Sequence, residues 1–341
     1  MKHKYEFITG SYGNTEEEGI GRFELDTRLG TLTKLAGFKG VFSPSFVALS
    51  PDRKLLYAVE ERTPDGFIHT LHWDETGLTL LASHATRGAD PCYIGMDADG
   101  GMLLVANYTS GSLAVYQTDE NGIPKEMTDF VEHEGKGPHP VRQEGPHVHY
   151  CRVRGKEAFV VDLGLDKAVI YDIDNNTGKV TDSGKYLEFP KGSGPRHLEF
   201  DPERLEMVYA VCELESKAAV FQEENGRYKL KQILSTLPDD FSETNIAAAI
   251  RYKNGHLFIS NRGHDSIAMF KAGEDGLLTL TDITKTGGRT PRDFNIMGDY
   301  LVAANQDSDL LTVLKINWAE GKMEQTGISA EHVRPTCVEI V

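Results

Sequence analysis

The chain has 341 residues, 39% of them hydrophobic, and a formal net charge of −16 at pH 7. That balance excludes the basic face that nucleic acid needs and disfavours an anionic membrane surface, and no apolar run approaches the ~20 residues of a membrane span. A small anionic ligand would be repelled at long range, so a site for one requires locally clustered arginine.

The opening stretch, MKHKYEFITGSYG, lacks the apolar core and cleavage site of a secretory signal. The four cysteines, Cys92, Cys151, Cys212 and Cys337, lie far apart inside apolar runs. Buried free thiols and a cytoplasmic location are expected.

From residue 43 onward the chain repeats itself. SPSFVALSPDRKLLYAVEE begins at Ser43, DPCYIGMDADGGMLLVANY at Asp90, GPHVHYCRVRGKEAFVVDL at Gly145 and GPRHLEFDPERLEMVYAVCE at Gly194. TNIAAAIRYKNGHLFISNR follows at Thr244, TPRDFNIMGDYLVAANQ at Thr290 and RPTCVEIV at Arg334. Aligning Pro44, Pro91, Pro146, Pro195, Asn245, Pro291 and Pro335 gives spacings of 47, 55, 49, 50, 46 and 44 residues. A period of this length with several short strands per unit predicts a propeller.

Each unit offers four strands, A to D; in the fourth they are HLEFD, MVYAVCE, AAVFQ and KLKQILS. They are rich in β-branched and aromatic residues and separated by turns such as SPDRK, DADGG and KNG. The nearest approach to a helical pattern is EMTDFVEHEG, residues 126–135. The last unit stops after strand A. The N-terminal segment supplies the rest, with YEFITGSYG as B, GIGRFELD as C and LTKLAGFKG as D. The prediction is an all-β, seven-bladed β-propeller over residues 1–341. Its blades are four-stranded and antiparallel, and the C-terminal strand pairs with the N-terminal blade segment to close the ring and remove its exposed edges.

Strand A lines the axial channel of a propeller, and the start of A lies beside the end of B. The starts of A supply His147, His149, Arg196, His197 and Arg292; the ends of B supply Asn107, Asp162, Glu213, Arg262, Asn305 and Gln306. All should converge on one rim, with Tyr12 and Tyr108 as secondary candidates. Arg196 would then point into a wet funnel rather than a core. Taken singly, Glu213 passes for a turn acid, and Arg262 for a partner of Asp265 in its own turn. His147 and His149 share a strand face, but no third ligand for a metal is evident, so neither metal nor other cofactor is expected.

The stretches ITGSYGNTEEEGIGRFELDTRLGTL, ANYTSGSLAVY, VDLGLDKAVIYDID, GSGPRHLEFDP, VCELESKAAV, SNRGHDSIAMF and TPRDFNI…LVAANQDSDLLTV resemble the seven-bladed propeller lactonases. That family contains the bacterial 6-phosphogluconolactonases and is related to the fungal carboxy-muconate cyclases. The resemblance spans nearly the whole chain. It implies hydrolysis of a sugar-acid lactone, foremost 6-phospho-D-glucono-1,5-lactone of the pentose phosphate pathway, with His147, Arg196, Glu213 and Arg262 as catalytic residues. One departure is visible: where the family usually carries an acid in an A-E-I segment, this chain reads AAAI, around Ala248 and Ala249.

The implied chemistry needs a base for water, a donor for the tetrahedral oxyanion and a cation for the anionic substrate. His147 or Glu213 could be the base, with His147 preferred; Arg196 and Arg262 suit the phosphate and the oxyanion. His149, His197, Asp162, Asn107, Arg292 and Gln306 would line the substrate. The expected partner is a phosphorylated sugar lactone, with no nucleic acid or membrane, and the chain a monomer or weak homodimer. Alternatives are a lactonising cyclase acting on a muconate-like dicarboxylate, a non-enzymatic interaction propeller, and a metal-dependent sugar lactonase of another propeller type.

Overall fold

The computed structural model describes residues 2–74 and 77–341. Twenty-eight strands form seven four-stranded antiparallel sheets arranged in a ring. Among the described residues there is no α-helix, only a 3-10 turn at Gln306–Ser308. The region read as most nearly helical is the strand Pro124–Glu132, outermost in its blade. Beyond Pro124 it is half-buried or exposed throughout, as an outermost strand is. No helix among the described residues is long and apolar enough to cross a membrane.

The ring closes as the repeat predicts. Pro335–Ile340 pairs antiparallel with Lys4–Ser11, which continues through Ile20–Asp26 to Thr31–Phe38. We number the blades 1 to 6 from residue 43 and call this composite sheet blade 7.

The core consists of layers between neighbouring blades. Side chains alternate across a strand, so a strand sandwiched between two sheets must be apolar at every position. In blade 4, strand B is Met207–Cys212. Its Met207, Tyr209 and Val211 pack towards blade 5, while Val208, Ala210 and Cys212 pack towards blade 3. Phe7 and Ile8 divide in the same way between blades 6 and 1. Each fully buried large side chain contributes about 2–3 kcal/mol. All four cysteines are free and buried in or beside these layers.

A local irregularity positions the site. In six blades strand A carries a bulge near its start, so one residue has no partner on strand B. The skipped residues are Cys92, His149, Arg196, Arg292 and Thr336, and in blade 5 the Ala248–Ala249 pair. A bulge re-aims the side chain of its extra residue. The bulges also correct the repeat alignment. His149, not His147, is the counterpart of Arg196 and Arg292, and Val148 and Ala247 take the place held elsewhere by proline, rather than Pro146 and Asn245. The carbonyl of His147 receives the Leu163 N–H as that of Gly194 receives Glu213 and that of Thr290 receives Gln306.

Candidate active site

The residue that follows strand B in each blade points the site out. From blade 7 through blade 6 this position holds Tyr12, Glu61, Tyr108, Leu163, Glu213, Arg262 and Gln306. Tyr12, Tyr108, Leu163, Glu213 and Gln306 donate their backbone N–H to the residue just before their blade's strand A, and Glu61 donates to Ser43, four residues ahead of Val47–Leu49, which fixes each beside the channel entrance. Arg262 instead pairs with Ile246 at the strand end.

Glu213 is the centre of charge there. Arg262 Nη2 lies 2.7 Å and Arg196 Nε 3.0 Å from its Oε2, and Arg142 Nη2 donates to Oε1 at 2.5 Å. Burial disfavours the Glu213 carboxylate, but Arg262, Arg196 and Arg142 outweigh it and hold the carboxyl well below the usual carboxylate range. Arg196 does not sit in a wet funnel: it is 3% exposed and donates to the Ala248 carbonyl at 3.0 Å. Burial and the cations of Arg262 and Arg292 lower its pKa to about 9, which leaves it charged at neutral pH. Arg262 caps the Ala247 carbonyl at 3.0 Å and pairs with Glu213, not with Asp265. The AAAI segment therefore presents backbone carbonyls to both arginines where a carboxylate was expected.

Arg142 escaped the sequence reading. It lies on the long segment joining Pro124–Glu132 to Val148–Arg154, which has no counterpart in other blades. The segment is pinned by the buried Gln143, which donates to the Leu163 carbonyl at 2.9 Å and to Asp166 at 2.7 Å. Arg142 also donates to the Tyr108 hydroxyl at 3.1 Å.

The Tyr108 ring stacks on His147 with centroids 4.5 Å apart. His147 Nδ1 lies 3.1 Å from the Tyr108 carbonyl. A carbonyl only accepts, so Nδ1 carries the proton and Nε2 keeps its lone pair. That Nε2 is buried and makes no hydrogen bond; Glu144 Oε1 is 3.5 Å away.

Asp162 acts on His147 from behind. It accepts the His147 backbone N–H at 2.8 Å and His133 Nδ1 lies 2.7 Å from its other oxygen. The structure thus gives it a positioning geometry in place of the expected substrate contact. Asn107 and Asn305 are likewise turned into their blades. Asn107 donates to Ser112 beneath Gly88, and Asn305 ties Thr286, Thr312 and the Leu310 carbonyl. They precede the channel-facing position by one residue, so strand alternation sends them to the other side.

His149 and His197 lie deeper, edge to face with centroids 5.2 Å apart. Burial, aided by Arg196, pushes both imidazoles well below their usual range, so both are neutral. Tyr93 and Tyr150 pack against His197, and Phe46 lies 4.2 Å from Tyr93, so aromatic rings narrow the channel beneath the mouth. Gln306 stays at the rim with Oε1 buried and unpaired.

On the remaining side of the mouth, Tyr12 donates to Glu61 Oε1 at 2.8 Å, Ser45 contacts Glu61 Oε2, and the Arg292 guanidinium lies 5.0 Å from the Tyr12 ring centre. Burial pushes the Glu61 carboxyl up, against the pull of Arg292. A groove of about 760 Å³ lies at the opposite end, among the A–B turns of blades 1 and 2. Its lining carries Asp52, Asp99, Asp119 and Glu120 against Lys54 and so is mainly acidic.

Comparison with known proteins agrees with the fold. The family described as lactonase, 7-bladed beta-propeller, matches residues 6–340. The 6-phosphogluconolactonase of Bacillus subtilis is 32% identical over 99% of both chains. The crystal structure of the periplasmic gluconolactonase of Pseudomonas aeruginosa superposes with a TM-score of 0.92 at 27% identity, covering 99% of both chains. A protein from Lactobacillus plantarum matches equally well, at 30% identity.

Proposed function

The chain belongs to the seven-bladed β-propeller lactonase family, and from that premise we propose that it hydrolyses a sugar-acid 1,5-lactone, foremost 6-phospho-D-glucono-1,5-lactone, to the open acid. The reading places it in the cytoplasm, in the pentose phosphate pathway, with a phosphorylated sugar lactone as its partner. The observation that carries it is the pairing of an imidazole nitrogen, His147 Nε2, whose one near polar neighbour is the exposed Glu144 at 3.5 Å, with guanidinium groups gathered at one mouth.

In this mechanism His147 Nε2 takes a proton from water as the water oxygen bonds to the lactone carbonyl carbon. The carbonyl oxygen gains the negative charge, and Arg262 and Arg142 stand on the side where it develops; a preorganised donor of this kind contributes about 3–4 kcal/mol. The tetrahedral centre collapses, the bond from carbon to ring oxygen breaks, and the imidazolium returns its proton to that oxygen. Glu213 is a poor base, since three guanidiniums hold it ionised; it keeps like charges together in a buried space. The Tyr108 carbonyl orients the imidazole, and Asp162 holds the backbone of His147 through its N–H.

The test is lactone hydrolysis with phosphorylated and unphosphorylated gluconolactone, spontaneous opening subtracted. Turnover above background supports the reading, and none on either substrate ends it. Turnover of a muconate alone would favour the cyclase alternative.

A further inference from the structure

The mouth has two halves of different electrostatic character. In blades 2 to 5, Arg142, Arg196 and Arg262 share one carboxylate, and Arg196 and Arg262 also reach the carbonyls of Ala248 and Ala247, with the Nε of each left without a hydrogen bond. In blades 6, 7 and 1 Arg62, Arg289 and Arg334 are engaged by Glu60, the Asp307 carbonyl and Glu17, and the remaining guanidinium at the rim among the described residues is Arg292. It is the bulge residue of its strand A and half-buried, yet it makes no hydrogen bond or ion pair among the described residues. It lies over the face of Tyr12, whose hydroxyl is turned to Glu61, itself contacted by Ser45, and the charges of Glu61 and Glu213 act on it without an ion pair. In the same blade Gln306 leaves a buried amide oxygen unpaired. A half-buried guanidinium with all five N–H groups unspent has desolvation to recover, and a bidentate oxyanion recovers it.

We propose that Arg292, held against Tyr12, is the residue that receives the phosphoryl group of the substrate and so sets the preference for phosphorylated over neutral lactones. This rests on the lactonase reading. It assigns the two halves separate tasks: the Glu213 half faces the reacting ester and the Arg292 half holds the charged end of the substrate. Arg196 and Arg262, the sequence-based choices for the phosphate, already pair with Glu213 and the Ala248 and Ala247 carbonyls.

The experiment compares full-length wild type with Arg292→Gln and Arg292→Lys. It reads kcat and KM on 6-phosphogluconolactone and on gluconolactone, and calorimetric binding of 6-phosphogluconate and of gluconate. Arg292→Gln should lower the ratio of kcat/KM for phosphorylated over neutral lactone at least tenfold, mostly through KM. It should weaken 6-phosphogluconate binding by a similar factor. Arg292→Lys, which keeps the charge without the fork, should fall between and serves if the glutamine variant does not fold. A ratio within threefold of wild type overturns the proposal. If wild type opens neither lactone, the lactonase reading fails by itself. The proposal then stands on tighter binding of 6-phosphogluconate to wild type than to the variants, and falls if wild type does not bind it.

Discussion

Arg142 Nη2 and Glu213 Oε1 meet at 2.5 Å although they come from the connection between blades 2 and 3 and from blade 4. The contact ties a glycine- and proline-rich segment to the centre of the mouth and completes the set of three guanidiniums around one carboxylate.

Removing that carboxylate should cost more in stability than in chemistry. Glu213→Gln leaves buried arginines facing one another uncompensated, a loss of about 3–5 kcal/mol. The folded carboxyl sits below its usual range, so its contribution is complete above that range and is lost only as pH falls through the folded value. Denaturant unfolding at neutral pH should show the loss. Added phosphate or sulfate should raise the melting temperature of the variant more than that of wild type.

His147→Gln should keep the fold and lower kcat on the lactone by 10²-fold or more, the typical worth of a positioned base. Asp162→Asn should lower kcat less, since it acts only on the backbone of His147. Steady-state kinetics after background subtraction checks both, and equal effects would place the two residues in one structural role.

His332 lies at the seam between blades 6 and 7, edge-on to Phe23, 3% exposed and with neither ring nitrogen hydrogen-bonded. Burial, with Lys34 adding to it, lowers its pKa from 6.5 to about 4. The unfolded chain therefore binds a proton that the folded one refuses, and stability falls as pH drops from 6.5 towards 4. The loss from this residue is about 3 kcal/mol. His332→Leu should flatten that part of the pH–stability curve measured by denaturant unfolding.

Deleting residues 335–341 should abolish cooperative folding. The segment is strand A of blade 7, and its loss uncovers residues 7–11 of the Lys4–Ser11 strand while removing Val338 and Cys337 from two interblade layers. An uncovered edge of this kind invites association. Loss of a single thermal transition, with aggregation on sizing, is the expected result.

The ring, its four-stranded blades and its mode of closure were legible because the apolar runs and turns recur at a steady period. The gathering of Arg196, Glu213 and Arg262 followed from the same geometry. What stayed hidden has physical causes. Arg142 lies on a connection with no repeat counterpart, so no alignment could place it. Prolines at 146 and 195 suggested one position where the backbone has two, because a bulge adds a residue without changing the local composition. Asn107, Asp162 and Asn305 differ by a single step from the residues that face the channel, and strand parity at a frayed end cannot be read from residue type. The pairing of Arg196 and Arg262 with one Glu213 also left no mark in the sequence, since it joins blades 4 and 5 through side-chain reach alone.

The unpaired residue at the head of strand A carries a consequence for how such a protein diversifies. Because that residue is skipped by its neighbouring strand, exchanging its side chain need not disturb sheet hydrogen bonding, and cysteine, histidine, arginine, alanine and threonine all occupy the place here. A new substrate preference is therefore reachable through single-codon changes at a few radially arranged sockets, each able to drift while the framework around it is left intact.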